Sequence, residues 1–231
     1  MRSSDRLIVA LDYTALGPAL ALARRLRGLV RTLKVGGALF TACGPEVVRR
    51  LRALGFEVML DLKFFDIPNT VELSCRAAAA QRAALVTVHA AGGRPMLEAA
   101  VRGARTEAHR LGTRRPRILA VTVLTSERGI RPSAVRTRVV RLAREALEAG
   151  CDGIVASAHE AAALRRQFGA RPMVVCPGIR PAGGPRGDQR RVMTPREALA
   201  RGADRIVVGR PITAARSPRA AARALLTELE A

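Results

Sequence analysis

Short aliphatic and β-branched runs alternate along this chain with longer segments whose apolar positions return every three to four residues. The runs at residues 7–11, 32–35, 57–62, 85–89, 118–124, 153–156, 173–176 and 205–208 predict strands. Between them, Ala/Leu/Arg-rich stretches such as 20–29, 47–54, 139–147 and 220–229 predict amphipathic helices. Helix starts are signalled by Thr14, by Asn69 or Thr70, by Ser133 and by Thr194 before Pro195. Gly55, Gly112, Gly150 and Gly169 stand where helices should end. Eight strands alternating with eight helices over 231 residues is the pattern of a (β/α)8 TIM barrel, an α/β fold. A doubly wound open sheet is the alternative, but it would want a glycine-rich first turn where this chain has Asp12-Tyr13-Thr14. With no linker or composition shift, residues 1–231 are expected to form one domain.

Composition narrows the class. At 48% hydrophobic and 26% charged residues the chain is neither disordered nor a disulfide scaffold. No apolar run is long enough to span a bilayer, and the first residues lack the core of a signal peptide. Cys43, Cys75, Cys151 and Cys176 show no metal-ligand spacing and read as thiols of a reducing cytoplasm. The formal charge of +21 raises a non-catalytic nucleic-acid binder as a rival reading. The arginines are scattered over helical polar faces, however, with no basic tail and few aromatic residues to stack on bases. Neither a nucleic-acid nor a membrane partner is expected.

The kind of cation matters more than the total. Of 40 basic residues, 38 are arginine, and the two lysines are Lys34 and Lys63. Both sit in apolar surroundings near strand ends, where a proton-donating ammonium differs in kind from a guanidinium. In a barrel of this type chemistry gathers at the C-terminal strand ends. Asp12, Lys34, Asp61 with Lys63, His89, Thr125 with Ser126, Ser157, and Arg210 after Gly209 fall there. Asp61 and Lys63 are two apart on one strand and should share its inward face. A structural ion pair is the competing account, although buried pairs stabilise weakly. Asp66 follows beyond the strand, with Pro68, Asn69 and Thr70 expected to stop the loop and cap a helix.

The seventh strand leads into a long stretch from Pro177 to Arg191 that includes Arg180 and Gln189, and its 181–188 portion suits a lid. Together with Gly209 and Arg210 after the eighth strand, it marks a candidate phosphate site. His89 reads equally as a core or a pocket residue, whereas His109 and His159 read as surface. No cluster has metal-ligand spacing, and Ser126 and Ser157 lack a nucleophile elbow.

The stretch DLKFFDIPNT, with VALD at the first strand, LKVG at the second, PGIRP at the seventh and VVGRPIT at the eighth, resembles bacterial orotidine 5′-phosphate decarboxylases. The resemblance runs in order from about Arg6 to the C-terminus. It implies conversion of orotidine monophosphate to UMP and CO2 in pyrimidine synthesis, with no cofactor and no metal. It also implies that Lys34, Asp61, Lys63 and Asp66 form a charge network in which Lys63 protonates C6. Asp12 and Lys34 would hold ribose hydroxyls, Thr125 or Ser126 the pyrimidine edge, and Pro177, Arg180, Gln189, Gly209 and Arg210 the phosphate. Asp66, Ile67 and Thr70 would enter a neighbouring subunit's site, making a homodimer with shared sites. Metal-dependent sugar-phosphate relatives, the 3-keto-gulonate-phosphate decarboxylases and hexulose-phosphate synthases, share the DxKxxD pattern and stand as the second reading.

Overall fold

The computed structural model describes residues 2–124, 127, 129, 131–181 and 193–230. Its strands are β1 (Leu7–Leu11), β2 (Thr32–Gly36), β3 (Glu57–Phe64), β4 (Leu85–His89), β5 (Arg117–Val121), β6 (Gly153–Val155), β7 (Met173–Cys176) and β8 (Arg205–Val208). They pair in parallel in chain order, and β8 closes against β1, giving a closed barrel. The helices are α1 (Ser3–Arg6), α2 (Leu16–Leu26), α3 (Gly37–Cys43), α4 (Glu46–Ala53), α5 (Pro68–Ala80), α6 (Gly93–Arg110), α7 (Pro132–Glu148), α8 (Ala158–Phe168), α9 (Pro195–Ala200), α10 (Arg210–Thr213) and α11 (Pro218–Glu228). Each strand is thus followed by helix, with short α3 and α10 added to the eight expected and α1 preceding β1.

Alternation along the strands sorts the core into two. Ile8, Ala10, Met59, Leu85, Leu119, Val121, Val155, Val175 and Val207 fill the barrel interior. The residues between them, including Leu7, Val9, Leu33, Val58 and Val86, pack outward against the helices. Two glycines permit backbone approaches that any side chain would block. A Cβ at Gly153 would lie 2.3 Å from the Met173 carbonyl oxygen of the neighbouring strand. A Cβ at Gly103 in α6 would lie 2.3 Å from the Glu72 carbonyl oxygen in α5.

Element boundaries depart from the sequence pattern where prolines and hydroxyls intervene. Helices α5 and α7 begin at Pro68 and Pro132, with Ile67 and Arg131 at the cap positions, not at Asn69, Thr70 or Ser133. Proline's fixed φ and missing N–H suit the first helical position, so the chain turns there without a polar cap. Thr14 does not cap α2, which starts at Leu16 after Ala15, and α2 stops at Leu26, short of a turn at Gly28 (φ 78°). Thr194 does cap α9, in a reciprocal capping box with Glu197. Strand β5 ends at Val121, three residues short of the predicted limit. There the Thr122 hydroxyl donates to the Val155 carbonyl already engaged by the Thr122 N–H, and the chain leaves the sheet. All four cysteines are free, and burial pushes the thiols of Cys75, Cys151 and Cys176 up to about 12. Among the described residues no helix is long and apolar enough to cross a membrane.

Candidate active site

The inward positions of β1, β2 and β3 end in polar groups at the C-terminal mouth of the barrel. Asp12 follows Ala10, Lys34 follows Thr32, and Asp61 follows Met59 at the alternation that fills the interior. The ammonium of Lys34 sits 3.4 Å from Asp12 Oδ1 and 3.3 Å from Asp61 Oδ2. Lys63 Nζ lies 3.0 Å from the same Asp61 oxygen. One carboxylate therefore bridges the only two lysines in the chain. The Asp61 and Lys34 side chains are only 11% and 12% exposed, whereas Lys63 is 39% exposed and reaches toward the opening. Burial by itself would raise the Asp61 pKa, but the charges of Lys34 and Lys63, helped by hydrogen bonds from Lys63 and Thr87, hold it below the usual carboxylate value.

Lys63 shares the inward face with Asp61 as its spacing predicts, yet not as a regular strand residue. Its φ is 50°, in the left-handed region, and the pairing register between β3 and β4 shifts between Leu60 and Phe64. A buried threonine holds this irregularity. The Lys63 N–H donates to Thr87 Oγ1 at 2.9 Å, and the Thr87 hydroxyl donates to Asp61 Oδ1 at 3.0 Å. Thr87 thus fixes the backbone of one charged residue and the side chain of the other. Sequence reasoning missed it, because a threonine in a β-branched strand is the expected residue there. Its inward position two residues before His89 was the available signal.

Asp12, Lys34, Asp61, Lys63, Pro177, Arg180, Gly209 and Arg210 together line one cavity of about 440 Å³. Its wall is apolar at Ala10, Met59, Val121, Val155 and Val207, and Thr213 of α10 is a further lining residue not singled out by sequence. Burial, and then the charge of neighbouring Arg210, push the Arg180 guanidinium below its usual pKa. Two cations crowded in this way at a cavity wall favour a doubly charged anion between them. Gly209 keeps the site open, since a Cβ there would stand 3.1 Å from Asp12 Oδ2. The cavity thus combines an arginine pair after β7 and β8, suited to an anion, with a row of alternating charges on β1, β2 and β3, and apolar residues in the same wall.

Other expected residues fall elsewhere. Asp66, Ile67 and Thr70 are exposed and do not line the cavity, and Asp66 Oδ1 accepts from the Ile67 N–H at 2.6 Å. Ser157 is the cap of α8, accepting from the His159 N–H, so the polar residue ending β6 serves the helix. His89 packs its ring 5.4 Å from that of Phe65 and does not line the cavity. Burial first, then the charges of Lys63 and Arg138, lower its pKa and favour the neutral ring. Thr125, Ser126 and Gln189, with most of the 181–188 segment, lie outside the described residues. Among the described residues no three His, Cys, Asp or Glu side chains converge as metal ligands.

The profile of the orotidine 5′-phosphate decarboxylase / HUMPS family matches residues 5–225. The chain belongs to that family. It is 51% identical to the orotidine 5′-phosphate decarboxylase of Halorhodospira halophila over 98% of this chain and 96% of that one. It is 49% identical to the enzyme of the same name from Moorella thermoacetica, covering 100% and 94% of the two chains. Among solved structures, the orotidine 5′-phosphate decarboxylase of Lactobacillus acidophilus superposes with a TM-score of 0.85 at 36% identity, covering 98% of this chain and all of that one. Within a family whose name covers two branches, these relatives carry the decarboxylase name.

Proposed function

We propose that the protein decarboxylates orotidine 5′-monophosphate to UMP and CO2 without metal or organic cofactor, in the cytoplasm. The observation that carries this reading is the Lys34–Asp61–Lys63 row lining one cavity together with the arginine pair. Arg180 and Arg210, with Pro177, Gly209 and Gln189, hold the 5′-phosphate. Asp12 and Lys34 take the ribose hydroxyls, and Thr125 or Ser126 takes the pyrimidine edge. The orotate ring then lies over Asp61 and Lys63. As the bond from C6 to its carboxylate breaks, the electron pair stays on C6 in the ring plane, where no adjacent carbonyl delocalises it. The Lys63 ammonium stabilises that pair and transfers a proton from Nζ to C6, while CO2 departs. Asp61 faces the departing carboxylate, so repulsion between like charges is relieved along the reaction. The threonine-braced backbone of Lys63 limits its wandering, which favours preorganisation over reorganisation.

A second copy of the chain completes the site through Asp66, Ile67 and Thr70. Their exposure beside apolar Phe65 (62% exposed) and Leu73 (54% exposed) supports a contact surface there. The free thiols support a reducing compartment.

The test is an ultraviolet assay of orotidine monophosphate loss with and without EDTA. Activity should be indifferent to chelator, and Lys63→Ala should lose at least about a thousandfold in kcat while still binding UMP. Near-normal turnover of Lys63→Ala would remove the lysine from its role. Chelator-sensitive turnover of a keto-sugar phosphate would transfer the chain to the metal-dependent branch.

A further inference from the structure

At the opposite end of the barrel from this site lies a second cavity, of about 830 Å³, walled by the N-terminal ends of strands and the loops that lead into them. Its character follows from the same alternation that builds the mouth. On β8 the inward row reads Arg205, Val207, Gly209, and on β5 it reads Arg117, Leu119, Val121. An arginine therefore stands at the base of each row and lines this cavity.

Two of the cavity's other arginines are already engaged. Arg31 pairs with Glu57 at 2.9 Å and Asp5 at 3.6 Å, and Arg115 makes a two-pronged pair with Asp152 at 2.7 Å for each prong. The two lining carboxylates, Asp5 and Glu57, both take part in these pairs, although Asp5 Oδ1 is buried without a hydrogen-bond partner of its own. Arg52, Arg82, Arg114, Arg117 and Arg205 also line the cavity, and none forms an ion pair within 4.0 Å among the described residues. Arg117 and Arg205 are half-buried, whereas Arg52, Arg82 and Arg114 are exposed at the rim. The Nε and Nη1 of Arg205 are shielded from solvent and have no hydrogen-bond partner. Buried donors of this kind are normally satisfied, and a charged one most of all. Thr113 Oγ1, another lining group, is likewise buried without a partner.

An independent sign comes from the backbone. Arg82 follows the end of α5 with φ 56°, where a side chain is strained. Elsewhere the chain puts glycine in such turns, as at Gly55, Gly112, Gly150 and Gly169. Here it keeps a guanidinium on the rim of the cavity.

We infer that this basal cavity is a binding site for a short phosphate chain, whether an inorganic oligophosphate or the tail of a nucleoside triphosphate. Guanidinium forks match phosphate oxygens two at a time, and five unpaired forks exceed what a monoanion satisfies. The volume falls in the range of small-molecule pockets. Nucleic acid fits less well, because the one aromatic residue in the lining, Phe56, is 6% exposed and offers no stacking face. A slender chain entering from the rim reaches Arg205, which a duplex backbone does not. Bound there, it ties the bases of β5 and β8 to the last turn of α4, which carries Arg52, and to the loops carrying Arg82 and Arg114, and stabilises the folded barrel by mass action.

The experiment uses the full chain carrying Arg210→Ala, which weakens the anion site at the other mouth. Calorimetry and thermal unfolding are followed with sodium triphosphate, ATP and orthophosphate at matched ionic strength. One triphosphate should bind per chain and raise Tm saturably, with orthophosphate at least about tenfold weaker. Arg82→Gly and Arg52→Gln should each weaken triphosphate about three- to tenfold. In the otherwise unaltered chain, Arg82→Gly should leave decarboxylase turnover unchanged. Arg205→Gln should weaken binding further, and the two rim variants carry the test if that chain fails to fold. Equal affinity for triphosphate and ATP identifies the phosphate chain alone as ligand, and tighter ATP binding adds a nucleoside contact. Non-saturable binding, or affinity unchanged in both rim variants, overturns the site. So does RNA binding that these variants abolish while triphosphate fails to bind.

Discussion

Thr87 joins the two halves of the charged row through one hydroxyl, accepting from the Lys63 N–H and donating to Asp61. Thr87→Val keeps the shape but leaves a buried carboxylate oxygen and a strained N–H without that partner, at a cost of about 1–3 kcal/mol. Urea unfolding should register the loss, and Thr87→Ser should recover most of it. The pH dependence carries a second signature. The folded pKa of Asp61 lies below its unfolded value, so its stabilising contribution is fully present above the unfolded carboxylate pKa of about 4 and fades as pH falls through the folded value. Removing the Thr87 hydrogen bond raises the folded pKa toward the unfolded value, so in Thr87→Val the acid-dependent loss of stability should be smaller and complete at higher pH. An unshifted limb would show that the lysines alone set the carboxylate.

Helices α5 and α6 meet through the bare backbone of Gly103, where a Cβ would press to 2.3 Å from a main-chain oxygen of α5. Helix propensity favours alanine over glycine by about 1 kcal/mol, so an isolated helix would gain from Gly103→Ala. In the folded protein the clash is with backbone and has no flexible side chain to yield. The substitution should therefore destabilise by about 1–3 kcal/mol, visible as a lower urea midpoint. Unchanged or higher stability would mean the two helices separate freely. Helix α5 also carries Thr70, close behind Asp66 and Ile67, so a shift of its axis bears on the surface proposed to meet a second subunit.

For the whole molecule, the proposed shared site makes a prediction that a self-contained barrel does not. Lys63→Ala and Asp66→Ala chains are each expected to be inactive. Mixed and allowed to exchange, they should recover about a quarter of wild-type activity, because half of the random dimers contain one intact site. No recovery after demonstrated exchange would place Asp66 outside the chemistry.

Much of this architecture was readable one residue at a time. The alternation of aliphatic runs with helical periodicity determined the barrel, since a strand with one inward and one outward face and a helix with one apolar stripe bury their surfaces best in that arrangement. The scarcity of lysine marked Lys34 and Lys63, and the two-residue spacing put Asp61 and Lys63 on one face. Tertiary structure alone decided the rest, because it depends on distances between segments far apart in the chain. It let one carboxylate bridge both lysines, and it used a threonine of the next strand to hold Lys63 in a conformation that local propensity disfavours. It also gathered arginines that look scattered in the sequence around the base of the barrel, since inward rows share their polar ends only once the sheet has closed.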